Sequence, residues 1–318
     1  MIKALKTLGF LLSLSVVALP AAASSTPGLP RMVRVEGGTF LQGSAEAQYA
    51  ANERVHQATL SPFLIADTET TQKLWTAVMG SNPSRFRGED RPVEFVSWLD
   101  AVRFCNALSE REGLESVYTI AGGEVTWNRA ANGFRLPTES EWEYAARGGQ
   151  LGAPADAPLK RSPFAGGTEA GAVAWYDQNS GKTTHPVAQK ASNELGLYDL
   201  SGNVWEWCWD WYGEYPRTDV VDSEGASKGA GQKVLRGGAW FTPQNLLRVT
   251  YRYWNAQSFK VNSVGFRIAR NAGPASASDI AAPPQDPASV AADRFSKSIP
   301  SGVGLDLFEF LAAPESER

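Results

Sequence analysis

The stretch that decides the fold is GFRLPTESEWEYAARGG, residues 133–149. Thr138, with Glu141 three positions later, forms a capping box, which predicts that a helix starts there. Trp142 and Ala145 then lie on the face that is expected to point inward. The two glycines at the end of the stretch favour a helix end. The stretch therefore predicts a short, capped helix with a buried indole.

Two more helices are predicted on the N-terminal side of this stretch. The first covers residues 71–79, with Thr70 as its cap and Gly80 as its end. The second starts at Ser97, where Asp100 completes another capping box. The apolar face of this second helix consists of Ala101, Cys105 and Leu108.

Strand signals are scarcer than helix signals. Residues 32–40 alternate in polarity and then turn at two glycines, which predicts an edge hairpin. Trp205, Trp207, Trp209 and Trp211 alternate with other residues, so one face of a strand there is expected to bury indoles. Elsewhere the chain is rich in Gly, Asn and Pro without a sustained period. That composition is typical of a fold with little regular structure.

The ends of the chain differ in composition from its centre. Lys3 and Lys6, an apolar run and three alanines predict a secretory signal. The Ala/Pro-rich stretch near the C-terminus is typical of a linker. The predicted organisation is a signal at 1–23, a linker at 24–30, one domain at 31–270, a linker at 271–293 and a C-terminal tail at 294–318.

Charge and hydropathy limit the possible partners. The net charge of −4 becomes −6 when the signal is removed, because two lysines and no acids leave with it. An acidic protein is a poor fit for nucleic acid, which demands a basic face. The apolar run of the signal is too short to stay in a bilayer. We therefore expect a periplasmic or secreted protein with no membrane insertion after cleavage; its oligomeric state is left open.

The chain has two cysteines, Cys105 and Cys208. An exported protein can pair them in a disulfide. Both lie among bulky apolar neighbours, however, where buried free cysteines are common. The sequence favours two free thiols and leaves the disulfide as an alternative.

Six ordered blocks resemble the formylglycine-generating enzyme family, also called sulfatase-modifying factors. The blocks are VEGGTF at 35–40, ETTQ at 69–72, the stretch at 133–149, LGLYDLSGNVWEW at 195–207, VLRGG at 234–238 and GFR at 265–267. The resemblance covers nearly all of residues 31–270. It implies an α+β domain with the C-type-lectin-like fold of this family and low regular secondary structure.

The resemblance also shows which chemistry this chain lacks. The two redox cysteines of the family's oxidases fall at Thr242 and Leu247, and neither side chain can act as a thiolate that holds copper. The serine that usually precedes the aromatic residue is replaced by Ala239. A related branch holds iron with three histidines, whereas this chain has only His56 and His185. We therefore expect no copper or iron, and assign no catalytic residue.

Calcium is implied by the resemblance alone. The family's second calcium site uses backbone carbonyls and one carboxylate from a Gly-Asn-x-Trp-Glu turn. Carried over, its ligands are the carbonyls of Ser201, Gly202 and Val204 and the side chain of Glu206. Oxygen ligands from a turn suit a hard cation. The alternative is that Glu206 caps the turn by accepting backbone N–H bonds.

The segment from residue 240 to residue 259 is the candidate binding face. In the family's fold this segment lines a shallow exposed cleft, and family members used as hypervariable ligand-binding proteins diversify it. Aromatic side chains interleaved with Arg and Asn are typical of a recognition surface. About half of the aromatics are expected to point into the core, because a strand alternates. The candidate residues are Trp240, Phe241, Thr242, Arg248, Tyr251, Tyr253, Trp254 and Asn255.

Three functional hypotheses follow. The leading one is an exported accessory or immunity-type protein that binds a protein, peptide or glycan, with calcium in a remote loop. The second is a periplasmic oxidoreductase that matures a peptide-derived small molecule, such as a siderophore chromophore. The third is a true sulfatase activator that uses Cys105 or Cys208.

Overall fold

The computed structural model describes residues 26–49, 51–152, 162–226 and 231–273. Its strands are β1 (Met32–Val35), β2 (Gly38–Gln42), β3 (His56–Leu60), β4 (Phe63–Ala66), β5 (Tyr118–Ala121), β6 (Glu124–Trp127), β7 (Phe134–Arg135), β8 (Trp205–Trp211), β9 (Val220–Val221), β10 (Gln232–Arg236), β11 (Tyr253–Ala256), β12 (Val264–Gly265) and β13 (Ala269–Asn271). Its helices are α1 (Gln72–Met79), α2 (Trp98–Arg111), α3 (Glu139–Ala146), α4 (Gly149–Gly152) and α5 (Ala170–Val173).

The three helices predicted from capping signals are confirmed. Ser97 with Asp100 and Thr138 with Glu141 form complete capping boxes at α2 and α3. Gly80 ends α1 in the left-handed conformation, with φ 75°. The cap of α1 was wrong by one residue, because the hydroxyl of Thr71, rather than that of Thr70, accepts the N–H of Leu74.

The described strands form four small sheets. The first sheet has the order β1-β4-β13-β7, and the second has the order β11-β10-β8-β12. A third contains β2, β3 and β9, and β5 pairs with β6 alone. The predicted edge hairpin at residues 32–40 was wrong, because β1 pairs with β4 whereas β2 pairs with β3. The chain passes from one sheet to the other at Gly37, between β1 and β2, and Gly38, the first residue of β2.

Buried ion pairs hold α3 in place. Every residue of this helix is buried. Arg135 donates two hydrogen bonds to Glu141, each 2.7 Å long. Arg147 donates to Glu143 and to the carbonyl of Gly43. These charge-assisted hydrogen bonds attach α3 to neighbouring segments of the same polypeptide.

Tryptophans form much of the core around β8. Trp205, Trp207 and Trp209 are buried, as the alternation predicted. The residues between them are buried as well, so β8 is covered on both faces. Cys105 and Cys208 are free and buried, which confirms the favoured prediction of two thiols.

Most of the predicted terminal segments lie outside the described residues. This applies to the signal at 1–23, the tail at 294–318 and nearly all of the linker at 271–293. Residues 26–30 of the predicted linker at 24–30 are described, and Thr26 there is buried and donates to Glu112. No helix in the described part of the chain is long and apolar enough to cross a membrane.

Candidate functional site: an aromatic face beside β11

The positions of the missing cysteines lie inside the protein. Thr242 is buried, and its hydroxyl accepts the N–H of Ala239 at 2.9 Å. Leu247 is fully buried in a small apolar cluster that also contains Phe164 and Tyr176. Placing Thr242 on the binding face was therefore wrong. Its side chain closes the turn that follows Gly238.

Arg248 is also wrong as a binding-face residue. Its guanidinium is buried and donates two hydrogen bonds of 2.8 Å to the carboxylate of Glu53. The same group lies 3.5 Å from the ring centroid of Tyr49. These contacts occupy the donors that a ligand would need. Arg248 fixes the segment to the N-terminal part of the domain.

Three predicted residues are exposed. Phe241 is 50% exposed, and Tyr253 and Trp254 are each 38% exposed. Tyr253 packs on Trp205 at 5.1 Å between ring centroids, and Trp254 packs on Tyr212 at 5.7 Å. Among the described strands, β11 pairs only with β10, so it lies at the edge of its sheet. The rings of Tyr253 and Trp254 therefore each pack against another aromatic ring and remain partly exposed to solvent.

The other predicted residues line this surface without being fully open. Trp240, Tyr251 and Asn255 are half-buried. The indole N–H of Trp240 donates to the carbonyl of Asn262 at 3.0 Å, which fixes the ring. Tyr251 precedes β11, and within the strand Tyr253 and Trp254 are both exposed while Asn255 is half-buried, so exposure does not alternate along it.

Two aromatic residues of the surface were missed. Phe86 meets Trp240 edge-on at 5.5 Å between ring centroids, and Phe95 is 41% exposed. Phe95 is joined to the segment by its N–H, which donates to the carbonyl of Val261 at 3.0 Å. No local pattern marks these residues, because the fold alone brings them to the 240–259 segment. We call the combined surface the aromatic face; it comprises Phe86, Phe95, Trp240, Phe241, Tyr251, Tyr253 and Trp254.

Comparison with known proteins decides the family. A model of the sulfatase-modifying factor enzyme 1-like domain matches residues 18–272. The chain belongs to this family. The match spans every described strand and helix, so the α+β, C-type-lectin-like fold expected from the sequence is confirmed.

Individual members of the sulfatase-modifying factor family differ in their stated roles. The chain is 38% identical over 280 residues to the chaperone protein LppX of Paenibacillus barcinonensis, covering 77% of this chain and 92% of that protein. It is 31% identical over 311 residues to the formylglycine-generating enzyme of Streptomyces coelicolor, covering 81% and 97%. It spans 38 or 39% of the length of three further curated relatives.

A solved structure from the same fold family is close in shape. The Treponema denticola variable protein 1 superposes with a TM-score of 0.68 at 34% identity. The superposition covers 76% of this chain and 95% of that protein.

The carried-over calcium site does not fit the residues present. Both carboxylate oxygens of Glu206 accept hydrogen bonds from Arg267, at 2.6 and 2.7 Å, and one also accepts the indole N–H of Trp142. A dication bound to this carboxylate would have to lie against a buried guanidinium. The hydroxyl of Ser201 donates to the carbonyl of Leu247. The alternative of a backbone cap was also wrong for Glu206, whose partners are side chains.

Both histidines pack against aromatic rings of the fold. The ring of His185 stacks on Trp175 with the centroids 3.7 Å apart, and its Nε2 contacts the carbonyl of Ser180. His56 packs on Tyr215 at 4.7 Å. Within the described ranges, no group of three or more His, Cys, Asp or Glu side chains is arranged to hold a metal.

Proposed function

We propose that this protein is an exported accessory protein of the chaperone type, which binds a polypeptide partner through the aromatic face. The observation that carries the proposal is the set of exposed rings of Tyr253 and Trp254 on the edge strand β11 and of Phe241 in a turn. The relative described as a chaperone supports a polypeptide as the partner. The periplasm or the medium is the proposed location.

The buried thiol positions support binding over oxidation. Thr242 and Leu247 hold no sulfur and are covered by protein. Burial raises the pKa of Cys105 and of Cys208 well above the usual range, so neither is a thiolate at neutral pH. Cys105 lies in α2 and Cys208 in β8, away from the aromatic face. These properties count against a sulfatase activator that uses Cys105 or Cys208, because neither thiol is reactive at neutral pH.

The exposed rings would supply part of the binding free energy of a contact. A wholly buried aromatic ring removes roughly 150–250 Å² from water. Covering the open fractions of Phe241, Tyr253 and Trp254 would remove on the order of 80 Å² each. At about 25 cal/mol per Å², each ring would contribute ~2 kcal/mol. Three rings together would contribute about 6 kcal/mol, and because association costs about 4–15 kcal/mol, a partner must make further contacts around them.

Site-specific photo-cross-linking tests the proposal. A benzophenone amino acid replaces Phe241 in the full chain, expressed with its signal in the source organism, and adducts are identified by mass spectrometry. The control carries the same group at Val221, which is 71% exposed and belongs to a different sheet. We expect a protein adduct from position 241 only, and a much lower yield when Tyr253→Ala and Trp254→Ala are added. No adduct, or the same adducts from position 221, would contradict the proposal.

A separate assay addresses catalysis. The purified protein is incubated with a cysteine-containing sulfatase peptide with and without copper, and aldehyde is measured by mass spectrometry. We expect no aldehyde, because no described thiol is open to solvent. Metal analysis of the same sample accompanies it. Copper or iron at stoichiometric occupancy would favour the oxidoreductase hypothesis instead.

A further inference from the structure

A loop distant in sequence extends the aromatic face. The loop is residues 84–95, between α1 and α2. Phe86 contacts Trp240, and the N–H of Phe95 donates to the carbonyl of Val261. The ammonium of Lys260 lies 6.0 Å from the ring centroid of Phe95. The loop and the 240–261 segment therefore form one continuous surface.

The loop is held in a specific shape. The N–H of Phe86 donates to the buried carboxylate of Glu94 at 2.7 Å, and the N–H of Glu94 donates to Ser84. Phe95 has φ 66°, in the left-handed region that a bulky residue rarely adopts. Such a conformation costs about 1–2 kcal/mol, and the surrounding contacts must maintain it. In this loop, the residue with the strained backbone, Phe95, also has an exposed ring.

Exposed basic side chains lie on both segments of this surface, namely Arg85, Arg87 and Lys260. Residues 84–88, 240–246 and 253–261 contain no Asp or Glu. The protein as a whole has a net charge of −4, whereas the charged side chains within these three ranges are all basic. Such an uneven distribution attracts an acidic partner to one surface and repels it from the others.

Carboxylates also lie along this loop. Glu94 is buried, and burial raises the pKa of its carboxyl while the nearby Arg87 and Arg85 lower it. Glu89 lies 4.0 Å from the ammonium of Lys73 on α1, and Asp90 beside it is exposed. Asp177 is exposed at one flank, where its N–H donates to the carbonyl of Thr242. Glu89, Asp90 and Glu94 follow the basic stretch 84–88 in the loop, so the positive charge is confined to that stretch and to Lys260.

We propose that the aromatic face binds an acidic polypeptide segment, with its carboxylates against Arg85, Arg87 and Lys260 and its apolar side chains on the rings. This inference rests on the proposed function and specifies the chemistry of the partner. A polypeptide is favoured over single-stranded nucleic acid, which aromatic and basic residues also bind. Three cations on a protein with a net negative charge are few for a polyphosphate chain.

Peptide selection provides the test. Short random peptides displayed on phage are selected against the immobilised protein, and the charge of enriched sequences is compared with that of the input. An enriched peptide is then synthesised, together with a counterpart in which each Asp is Asn and each Glu is Gln. Affinities for both are measured by fluorescence anisotropy. An oligothymidine of similar length is the nucleic-acid probe.

Two triple variants give a matched comparison. One carries Arg85→Glu, Arg87→Glu and Lys260→Glu on the face. The control carries three reversals at exposed arginines elsewhere, namely Arg103→Glu, Arg111→Glu and Arg217→Glu. Both change the net charge by the same amount, so long-range repulsion is matched. Melting temperatures of both variants establish that they fold.

The proposal expects enrichment of acidic peptides. The amide counterpart and the face variant should each lower the affinity by about tenfold or more, and the control variant by much less. Enriched peptides that are neutral or basic, equal binding of the amide counterpart, or tighter binding of oligothymidine would overturn it. The double variant Tyr253→Ala/Trp254→Ala distinguishes a failure of the acidic inference from a failure of the proposed function. If this pair removes peptide binding while charge has no effect, only the acidic inference fails; if no peptide depends on the pair, the proposed function fails.

Discussion

Removing either partner of the Glu206–Arg267 pair should destabilise the domain strongly. Both side chains are fully buried, and the guanidinium forms a two-pronged contact with the carboxylate. Breaking a buried pair by deleting one partner typically costs 3–5 kcal/mol, because the remaining charge has no compensation. The two single variants should nevertheless differ.

The difference comes from two further buried acids. Burial, with Asp199 and Glu206 nearby, raises the pKa of Glu69 well above its usual range. Asp199 and Glu69 also favour the charged form of Arg267. Glu206→Gln thus leaves the guanidinium some compensation and should cost about 3 kcal/mol, whereas Arg267→Met leaves acids without a cation and should cost about 5 kcal/mol. At 2–4 °C per kcal/mol, Tm should fall by ~6–12 °C and ~10–20 °C respectively.

Thermal unfolding followed by circular dichroism measures both variants. The double variant Glu206→Gln/Arg267→Met should be more stable than the sum of the single losses predicts, because neither charge remains in the pair. Each protein is also melted with EDTA and with excess calcium. The geometry predicts no calcium effect through Glu206. If EDTA lowers the wild-type Tm and Glu206→Gln removes that sensitivity, Glu206 is a metal ligand and the reasoning is refuted.

Three other predictions concern buried or strained groups. Burial raises the pKa of Asp199 to about 6, above its unfolded value of 3.8. The stability it contributes is therefore present below pH 4 and lost as pH rises through about 6. Asp199→Asn, at a residue with φ 57° that Asn tolerates, should be more stable relative to wild type at pH 7 than at pH 4 in urea titrations. Cys105 and Cys208 should resist a thiol reagent in the native state and both react in urea; labelling of the native protein would contradict their burial. Phe95→Asn should keep or raise Tm, since it relieves a positive φ, while lowering the adduct yield from position 241; an unchanged yield would remove Phe95 from the face.

Local signals predicted the helices well. A capping box needs only two residues three apart, so Ser97 with Asp100 and Thr138 with Glu141 could be found in the sequence alone. The hairpin at residues 32–40 failed, because alternation followed by glycines predicts a turn but not which strand lies across it. The actual partners are β4 for β1 and β3 for β2, and both come later in the chain.

The aromatic face was only partly predictable. Some aromatics of the segment are exposed and others are half-buried, but Tyr253 and Trp254 are neighbours in β11 and equally exposed, so alternation did not decide which rings are open. Arg248 was misplaced because its carboxylate partner, Glu53, is remote in sequence and carries no motif. Phe95 was missed for the same reason, since only the fold brings it to Val261. Exposed rings and buried ion pairs depend on long-range contacts, which a single sequence does not reveal.

The position of β13 governs when the domain can assemble. This strand, the last one in the described ranges, lies inside the first sheet, between β4 and β7, and β4 joins it to β1 near the start of the domain. During synthesis or passage across a membrane, the sheet stays open until residues 269–271 arrive. A chain cut before residue 269 would leave unpaired edges on both β4 and β7, ready to join strands of other chains. Pairing of β13 is thus the step that covers both edges and protects the folding domain from aggregation.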